Sequence, residues 1–346
     1  MKRLLLTILI LSLLVIPVTA TDISAPDAPD SAEQYLPDQS SSFGADLWYV
    51  IKAAVQDILP SISETAGICF SIIAVVTLTT ILQGFSGHSK KVTMIVSAVG
   101  IGVLLFESTN TLIRLGNATV TELAEYGKLL LPVMTAAMAA QGGLNTSSAL
   151  YMGTAVFNSV LTTLITKLII PVIYIYICLC IADCATQDRS LKNLRDFVKW
   201  LATWNLKIIL YVFTGYMGIT GVVSGSVDAA AVKAAKLTIS SAVPVVGNIL
   251  SDASETILVS AGLMKNAAGI YGILAMIAIF IGPFLKIGIQ YLLLKLTAGI
   301  ISILDTQETI TLVKDFSGAL GMVLAITGTV CLLLLISVVC FMRGVN

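Results

Sequence analysis

The stretch Ser240–Glu255 reads SSAVPVVGNILSDASE and is the most irregular part of a very apolar chain. It combines Pro244, Gly247, several hydroxyl side chains and two acids, Asp252 and Glu255. A helix that faces lipid on all sides needs none of these groups, because lipid offers no partner to a polar or charged group. The stretch is therefore predicted to form an irregular or re-entrant element packed inside a bundle of membrane helices.

The composition of the whole chain indicates a membrane protein. Of its 346 residues, 57% are hydrophobic and only 12% are charged, and the mean hydropathy is +0.95. A soluble domain carries roughly a quarter of charged residues. Several apolar runs reach the ~20 residues that a helix needs to cross a bilayer, and the alternation typical of barrel strands is absent. The predicted fold class is an all-α polytopic membrane protein, a helical bundle in contact with the lipid bilayer.

Composition also limits the chemistry that the chain can perform. The formal net charge of +0 gives no electrostatic reason to bind nucleic acid. One histidine, His88, cannot build a histidine metal site, and Cys178, Cys180 and Cys184 lack a second pair of ligands, so apolar packing is favoured over a zinc or redox role. No HExxH, GxSxG or phosphate-binding glycine motif is present. We expect no enzyme, no cofactor and no metal.

The N-terminal part is predicted to be exported. Residues 1–20 have the basic start, short apolar core and small terminal residues of a signal peptide, with an uncleaved anchor as the alternative. Residues 21–63 would then lie outside the cytoplasm. Their acidic, proline-rich first part is predicted to be a flexible arm, and Ala45–Leu59 is predicted to be a helix at the membrane interface.

Loop charges predict the orientation of the polytopic domain, residues 64–346. Ala66–Phe85 is the first span, and the basic loop that follows it, residues 86–91, is placed in the cytoplasm. The basic segment Asp183–Lys207 is also cytoplasmic. Its aromatic residues recur at helical spacing, which indicates an amphipathic helix on the inner membrane surface or, alternatively, a docking site for a cytoplasmic partner.

The remaining apolar regions allow more than one interpretation. Val92–Phe106 is predicted to return outward and to be followed by a polar connection, Glu107–Lys128. Leu129–Ala140 is apolar but short and is followed by a break, and Ala149–Ala182 is either one long kinked helix or two spans that meet near Lys167, so one or three crossings precede the second cytoplasmic segment. Leu206–Val223 is predicted to run outward again, and Ala267–Pro283 and Phe284–Ile303 are predicted to be a second broken pair. A polar connection that includes Lys314 and Asp315 then leads to the final span, Gly318–Met342.

An internal repeat is predicted from the spacing of four prolines. Pro132 and Pro244 lie about 112 residues apart, and the same offset separates Pro171 from Pro283. The repeat halves would be residues 92–184 and 204–296, each with a proline-broken or re-entrant helix. Because each half would contain an even number of crossings, the two copies should be parallel repeats.

Polar side chains inside the apolar regions are the candidate functional residues. Lys286 and Gln290 are four residues apart and share a helix face, as do Asp252 and Glu255 at a spacing of three. An acid of the second pair is predicted to neutralise Lys286 in a polar cavity or ion path, whereas the alternative places all four at membrane boundaries with the lysine extended toward water. The complete candidate set is Pro132, Pro171, Pro244, Gly247, Asp252, Glu255, Pro283, Lys286 and Gln290.

Several short motifs together resemble the stage III sporulation protein AE family. They occur in a fixed order along nearly the whole mature chain: TTILQG at 79–84, YGKLLLPVM at 126–134, AVPVVG at 242–247, LSDA at 250–253 and KNAAG at 265–269. The resemblance implies a multi-pass protein of the mother-cell membrane around the forespore. It implies a role, with other stage III proteins and a forespore-side partner, in a channel or secretion-like complex that supports forespore development. A stand-alone secondary transporter with parallel repeats is the alternative function.

Overall fold

All regular secondary structure in the described part of the chain is helical. A computed structural model describes residues 25–37, 42–85, 90–140, 144–186, 188–219, 267–303 and 307–343. Within them the helices are α1 (Asp30–Glu33), α2 (Phe43–Phe85), α3 (Lys90–Ala140), α4 (Leu144–Leu164), α5 (Ile170–Thr186), α6 (Arg189–Ile219), α7 (Ala267–Ile301) and α8 (Gln307–Arg343). Among these residues, five helical segments are long and apolar enough to cross a membrane. The predicted all-α fold is confirmed.

The last helix, α8, lies at the centre of the bundle. In the apolar window of α8, 94% of the residues are buried by the rest of the chain, whereas the corresponding share for α2 is 28%. Helix α3 approaches α8 closely at Gly127, where a Cβ atom would lie 2.8 Å from Leu334. Small residues allow membrane helices to pack at short distance, so α8 is held by its neighbours rather than by lipid.

Side-chain contacts give the relative direction of the helices. As the residue numbers rise along α3, the numbers of the residues that they contact fall along the segment formed by α4 and α5 and along α7, so these helices run antiparallel to α3. The contacts are Asn110 with Tyr174 on α5 and Ala124 with Asn158 on α4, and Ser108 with Gln290 and Leu130 with Gly272 on α7. The numbers of the residues in contact rise together along α2 and α7, and also along α3 and α8, so each of these two pairs of helices is parallel. The contacts are Asp57 with Lys286 and Cys69 with Thr297 for α2 and α7, and Gly116 with Val323 and Gly127 with Leu334 for α3 and α8.

The helices are longer than the sequence predicted and include residues that were assigned to connections. The interfacial helix and the first span form one helix, α2, of 43 residues. The predicted polar connection Glu107–Lys128 is wrong, because it lies within α3, a continuous helix of 51 residues. Helix α8 begins at Gln307 and therefore includes Lys314 and Asp315, which were assigned to a polar connection.

The prolines do not interrupt these helices. Pro132 lies within α3 and Pro283 within α7, so the prediction of separate helices on either side of them is wrong. A proline removes one backbone hydrogen bond, and a membrane helix tolerates this loss where local adjustments satisfy the freed carbonyl. The predicted re-entrant element around Pro244 and Gly247 lies outside the described residues.

The segment around Lys167 and Pro171 forms one continuous helix. Helix α4 leads into a π-helical turn, Ile165–Ile169, and then into α5 without a break. A π-helical turn shifts the hydrogen-bonding register by one residue, which accommodates the missing N–H of Pro171 just after it. Of the two alternatives for Ala149–Ala182, the structure shows one long helical segment from Leu144 to Thr186.

Helix α6 does not lie separately at the inner surface as predicted. It runs antiparallel along α4 and α5, since Phe213 packs on Phe157 with ring centroids 4.7 Å apart and Tyr216 contacts Gly153. The predicted helical face of Phe197, Trp200 and Trp204 is present, and its rings stack on one another in exposed positions. The predicted surface helix within Asp183–Lys207 and the predicted span that begins at Leu206 thus belong to one helix, α6.

The internal repeat stays a prediction. Its second copy includes residues 220–266, which lie outside the described residues. The equivalent parts that the structure does describe, Leu150–Thr186 and Ala268–Ile301, both run antiparallel to α3, which is the relative direction that parallel repeats require.

Candidate polar site between helices α2, α3 and α7

Lys286 and Gln290 point from one face of α7 toward α2 and α3. The Nζ atom of Lys286 lies 3.2 Å from Oδ2 of Asp57 on α2. The Nε2 atom of Gln290 donates a hydrogen bond of 3.0 Å to Oγ of Ser108 on α3, and the Gln290 side chain is buried. Lys286 thus has an acidic partner that sequence reasoning did not consider. The partners that it did predict, Asp252 and Glu255, lie outside the described residues.

A cavity of about 600 Å³, lined by both apolar and polar side chains, separates these three helices. Its size falls within the range of pockets that hold small organic ligands. Polar and charged side chains from all three helices line it: Ser61, Glu64, Thr65, Ser71, Glu107, Ser108, Thr111, Lys286 and Gln290. Lys286 and Gln290 both line this cavity, and the predicted ion path with Asp252 or Glu255 stays a prediction.

The N-terminal arm, residues 25–37, packs against this site beside Asp57. Tyr35 is buried, donates a hydrogen bond of 2.8 Å from its hydroxyl to Oδ2 of Asp57, and lies against Gly282, where a Cβ atom would be 3.0 Å from the same hydroxyl. Burial and the hydrogen bond to Asp57 raise the pKa of Tyr35 to about 12. Asp57 therefore links the arm to Lys286 on α7.

Two further contacts hold the arm on α3. Ser31 donates a hydrogen bond to a carboxylate oxygen of Glu122, and Tyr126 donates one of 3.3 Å to the backbone carbonyl of Pro26. Ala32 is fully buried. The prediction of a flexible arm is wrong for residues 25–37, because composition alone does not show that Tyr35 and Ala32 find a groove on the bundle.

Tyr35→Phe is expected to loosen the arm and to lower the free energy of unfolding by about 1 kcal/mol, since one hydrogen bond to a carboxylate is lost in a partly exposed place. Limited proteolysis of the purified protein in detergent should show faster cleavage of the arm. Tyr49→Phe is the matched control, because Tyr49 is exposed on α2. Equal cleavage rates for both variants would show that the hydroxyl of Tyr35 does not fasten the arm.

The hydrogen bond between Tyr35 and Asp57 also predicts how the attachment of the arm changes with pH. The pKa of Tyr35 is raised from 10.0 to about 12 in the folded protein, so the contact favours folding fully below pH 10. Its contribution falls as the pH rises from 10 through about 12. Cleavage of the wild-type arm should therefore approach that of Tyr35→Phe in this window, with an alkali-stable protease as the probe.

A second polar cluster ties α5, α6 and α8 together at the opposite end of the bundle. The Nη1 atom of Arg195 lies 2.6 Å from Asp183 and 2.8 Å from Asp315, and its Nη2 atom lies 2.9 Å from Asp196. The hydroxyl of Tyr176 donates a 2.9 Å hydrogen bond to the other oxygen of Asp315. Both carboxylate oxygens of Asp315 thus bind side chains of other helices, Arg195 on α6 and Tyr176 on α5, which indicates a structural role for this cluster.

Sequence reasoning missed this cluster because its members appeared as ordinary loop charges. Arg195 and Asp183 belong to the basic segment, and Asp315 to a presumed connection. The available signal was the position of Asp315 immediately before the long apolar run of the final helix, where a charge needs a partner. Nothing in the sequence identifies Arg195 as that partner across 120 residues of chain.

Comparison with known proteins identifies the same family in two ways. The family model described as Stage III sporulation protein AE matches residues 32–344, which include α2 to α8. A curated relative named Stage III sporulation protein AE, from Bacillus subtilis (strain 168), is 22% identical over 244 residues, or 70% of this chain. The aligned region spans 61% of that relative's length. No solved structure matches the chain.

Proposed function

Because the chain belongs to the stage III sporulation protein AE family, we propose that it is the large polytopic component of the stage III membrane complex that links mother cell and forespore. The family match over residues 32–344 is the observation that carries this proposal. Its location would be the mother-cell membrane around the forespore. Its partners would be the other stage III proteins and, through the complex, a protein on the forespore side.

The proposed topology combines loop charges with helix directions. If the basic residues that precede α3 and those at the start of α6 lie in the cytoplasm, α2, α5 and α7 run inward. Helices α3, α6 and α8 then run outward, and the arm and the outer end of the polar site lie in the space between the two cells. This places the arm where the forespore-side partner would approach.

Two kinds of function are compatible with a multi-pass protein of this family, a component of the membrane complex and a transporter that acts alone. The remaining alternative is a stand-alone secondary transporter, which the half-open cavity beside Lys286 and Gln290 favours. A transporter would bind or move a solute when purified alone, whereas a complex component would co-purify with its partners.

Deletion of the gene in its spore-forming host is expected to block development after engulfment. Spore yield and forespore-specific gene expression should fall by orders of magnitude, with normal engulfment as the internal control, and the wild-type gene should restore both. A tagged copy should co-purify with other small membrane proteins of the complex. Sporulation at the wild-type level in the deletion strain would refute the proposal.

A further inference from the structure

The cavity between α2, α3 and α7 has more acidic than basic groups. Glu64 on α2 and Glu107 on α3 line different walls, and Lys286 on α7 is the one basic side chain among the lining residues. Lys286 is already paired with Asp57 at 3.2 Å. The ion pair leaves the two glutamates as the charges that a ligand would meet, and neither forms an ion pair within the described residues.

The surroundings make these two carboxylates unusual. Exposed apolar side chains flank the cavity on both helices, with Ile62 and Phe70 on α2 and Val103 and Phe106 on α3. Glu64 and Glu107 are both exposed between these apolar side chains, and neither has an ion-pair partner among the described residues. A cationic ligand would supply charge-assisted hydrogen bonds to both carboxylates, and the buried hydroxyl of Thr65 and the buried amide of Gln290 line the same cavity.

The size and the other lining groups restrict the kind of cation. A volume of about 600 Å³ is far larger than a dehydrated metal ion and suits a small organic molecule. The cavity also presents hydroxyl groups from Ser61, Thr65 and Thr111 and the amide of Gln290, which can accept hydrogen bonds from N–H donors. An anion is disfavoured, since the only lysine of the cavity is neutralised.

We propose that this cavity binds an ammonium-bearing molecule, with Glu64 and Glu107 as its charge partners. Because the two carboxylates come from different walls, a molecule with two ammonium groups should bind more tightly than one with a single group. The ammonium could come from a free amine or from the headgroup of phosphatidylethanolamine, which share this chemistry. The proposal goes beyond membership of the sporulation complex, since binding does not depend on any partner protein.

Calorimetric titration of the full-length protein tests the proposal. In phosphatidylcholine nanodiscs, cadaverine should bind saturably, and the uncharged diol of the same chain length should not. Glu64→Gln and Glu107→Gln should each weaken cadaverine binding by about tenfold, through loss of one charged hydrogen-bond partner. Glu125→Gln is the matched control, because Glu125 is exposed on α3 and does not line the cavity.

Nanodiscs that contain phosphatidylethanolamine distinguish a lipid headgroup from a free amine as the source of the ammonium group. If the lipid headgroup occupies the site, this lipid should weaken cadaverine binding to the wild type, whereas an unchanged affinity assigns the site to a free amine. Absence of cadaverine binding in phosphatidylcholine, or equal binding by wild type and by both single glutamate variants, would overturn the proposal. Unfolding midpoints of the variants, measured in parallel, check that their fold is intact.

Discussion

Replacing Arg195 with leucine is expected to lower the free energy of unfolding by about 4 kcal/mol, because the buried carboxylate of Asp183 loses its cation and that of Asp315 keeps only the half-exposed Lys199, whose Nζ atom is 3.9 Å away. The side chains of Arg195, Asp183 and Asp315 are only 7%, 14% and 11% exposed. Their ion pairs join α6 to its neighbour α5 and to α8, which is 120 residues further along the chain. Loss of the guanidinium should therefore separate α6 from α8 at this end of the bundle. Tryptophan fluorescence during thermal unfolding in detergent would report the change, since Trp200 and Trp204 lie on α6.

Two further variants separate the charge effect from loss of volume. Arg114→Leu removes an exposed arginine from α3 and should leave the unfolding midpoint nearly unchanged. The double variant Arg195→Leu with Asp315→Leu removes both ends of the closest buried contact with α8. It should recover part of the loss, because apolar groups can replace a buried ion pair at little cost. If the double variant is as unstable as the sum of both single changes, uncompensated charge is not the cause.

The sequence was sufficient for the fold class and for one face of the candidate site. Apolar runs predict membrane helices because a bilayer leaves the backbone few alternatives. The spacing of four residues placed Lys286 and Gln290 on one face of α7, as the structure shows. Their partners, Asp57 and Ser108, could not be predicted, since each lies on another helix and the pairing depends on how the helices pack.

Hydropathy could not distinguish a helix buried in protein from one that faces lipid. Helix α8 and helix α2 both contain long apolar windows, yet α8 is surrounded by other helices whereas α2 exposes most of its window. Leucine is equally compatible with lipid tails and with neighbouring side chains. Hydropathy also assigned Glu107–Lys128 to a loop, because it averages the charged residues of α3 without regard to the side of the helix on which they lie.

Two glycines of α3 should respond to the same substitution with opposite signs. Gly116→Ala is expected to lower the free energy of unfolding by about 3 kcal/mol, because the new Cβ atom would collide with Cγ1 of Val323 on the central helix. A valine in a helix has one strongly preferred rotamer, so Val323 cannot easily turn aside. Gly100→Ala should instead raise stability by up to about 1 kcal/mol, since no atom lies within 4 Å of its Cβ position and alanine favours helix.

A compensating change tests whether the collision is the cause. Combining Gly116→Ala with Val323→Ala removes the branched side chain that the new methyl group meets, so the double variant should be more stable than Gly116→Ala alone. Because packing in the interior transmits small displacements, relief at this one contact should restore the approach of α3 to α8 at Gly127 as well. Equal midpoints for Gly116→Ala and Gly100→Ala in thermal unfolding would contradict the close packing of α3 on the central helix.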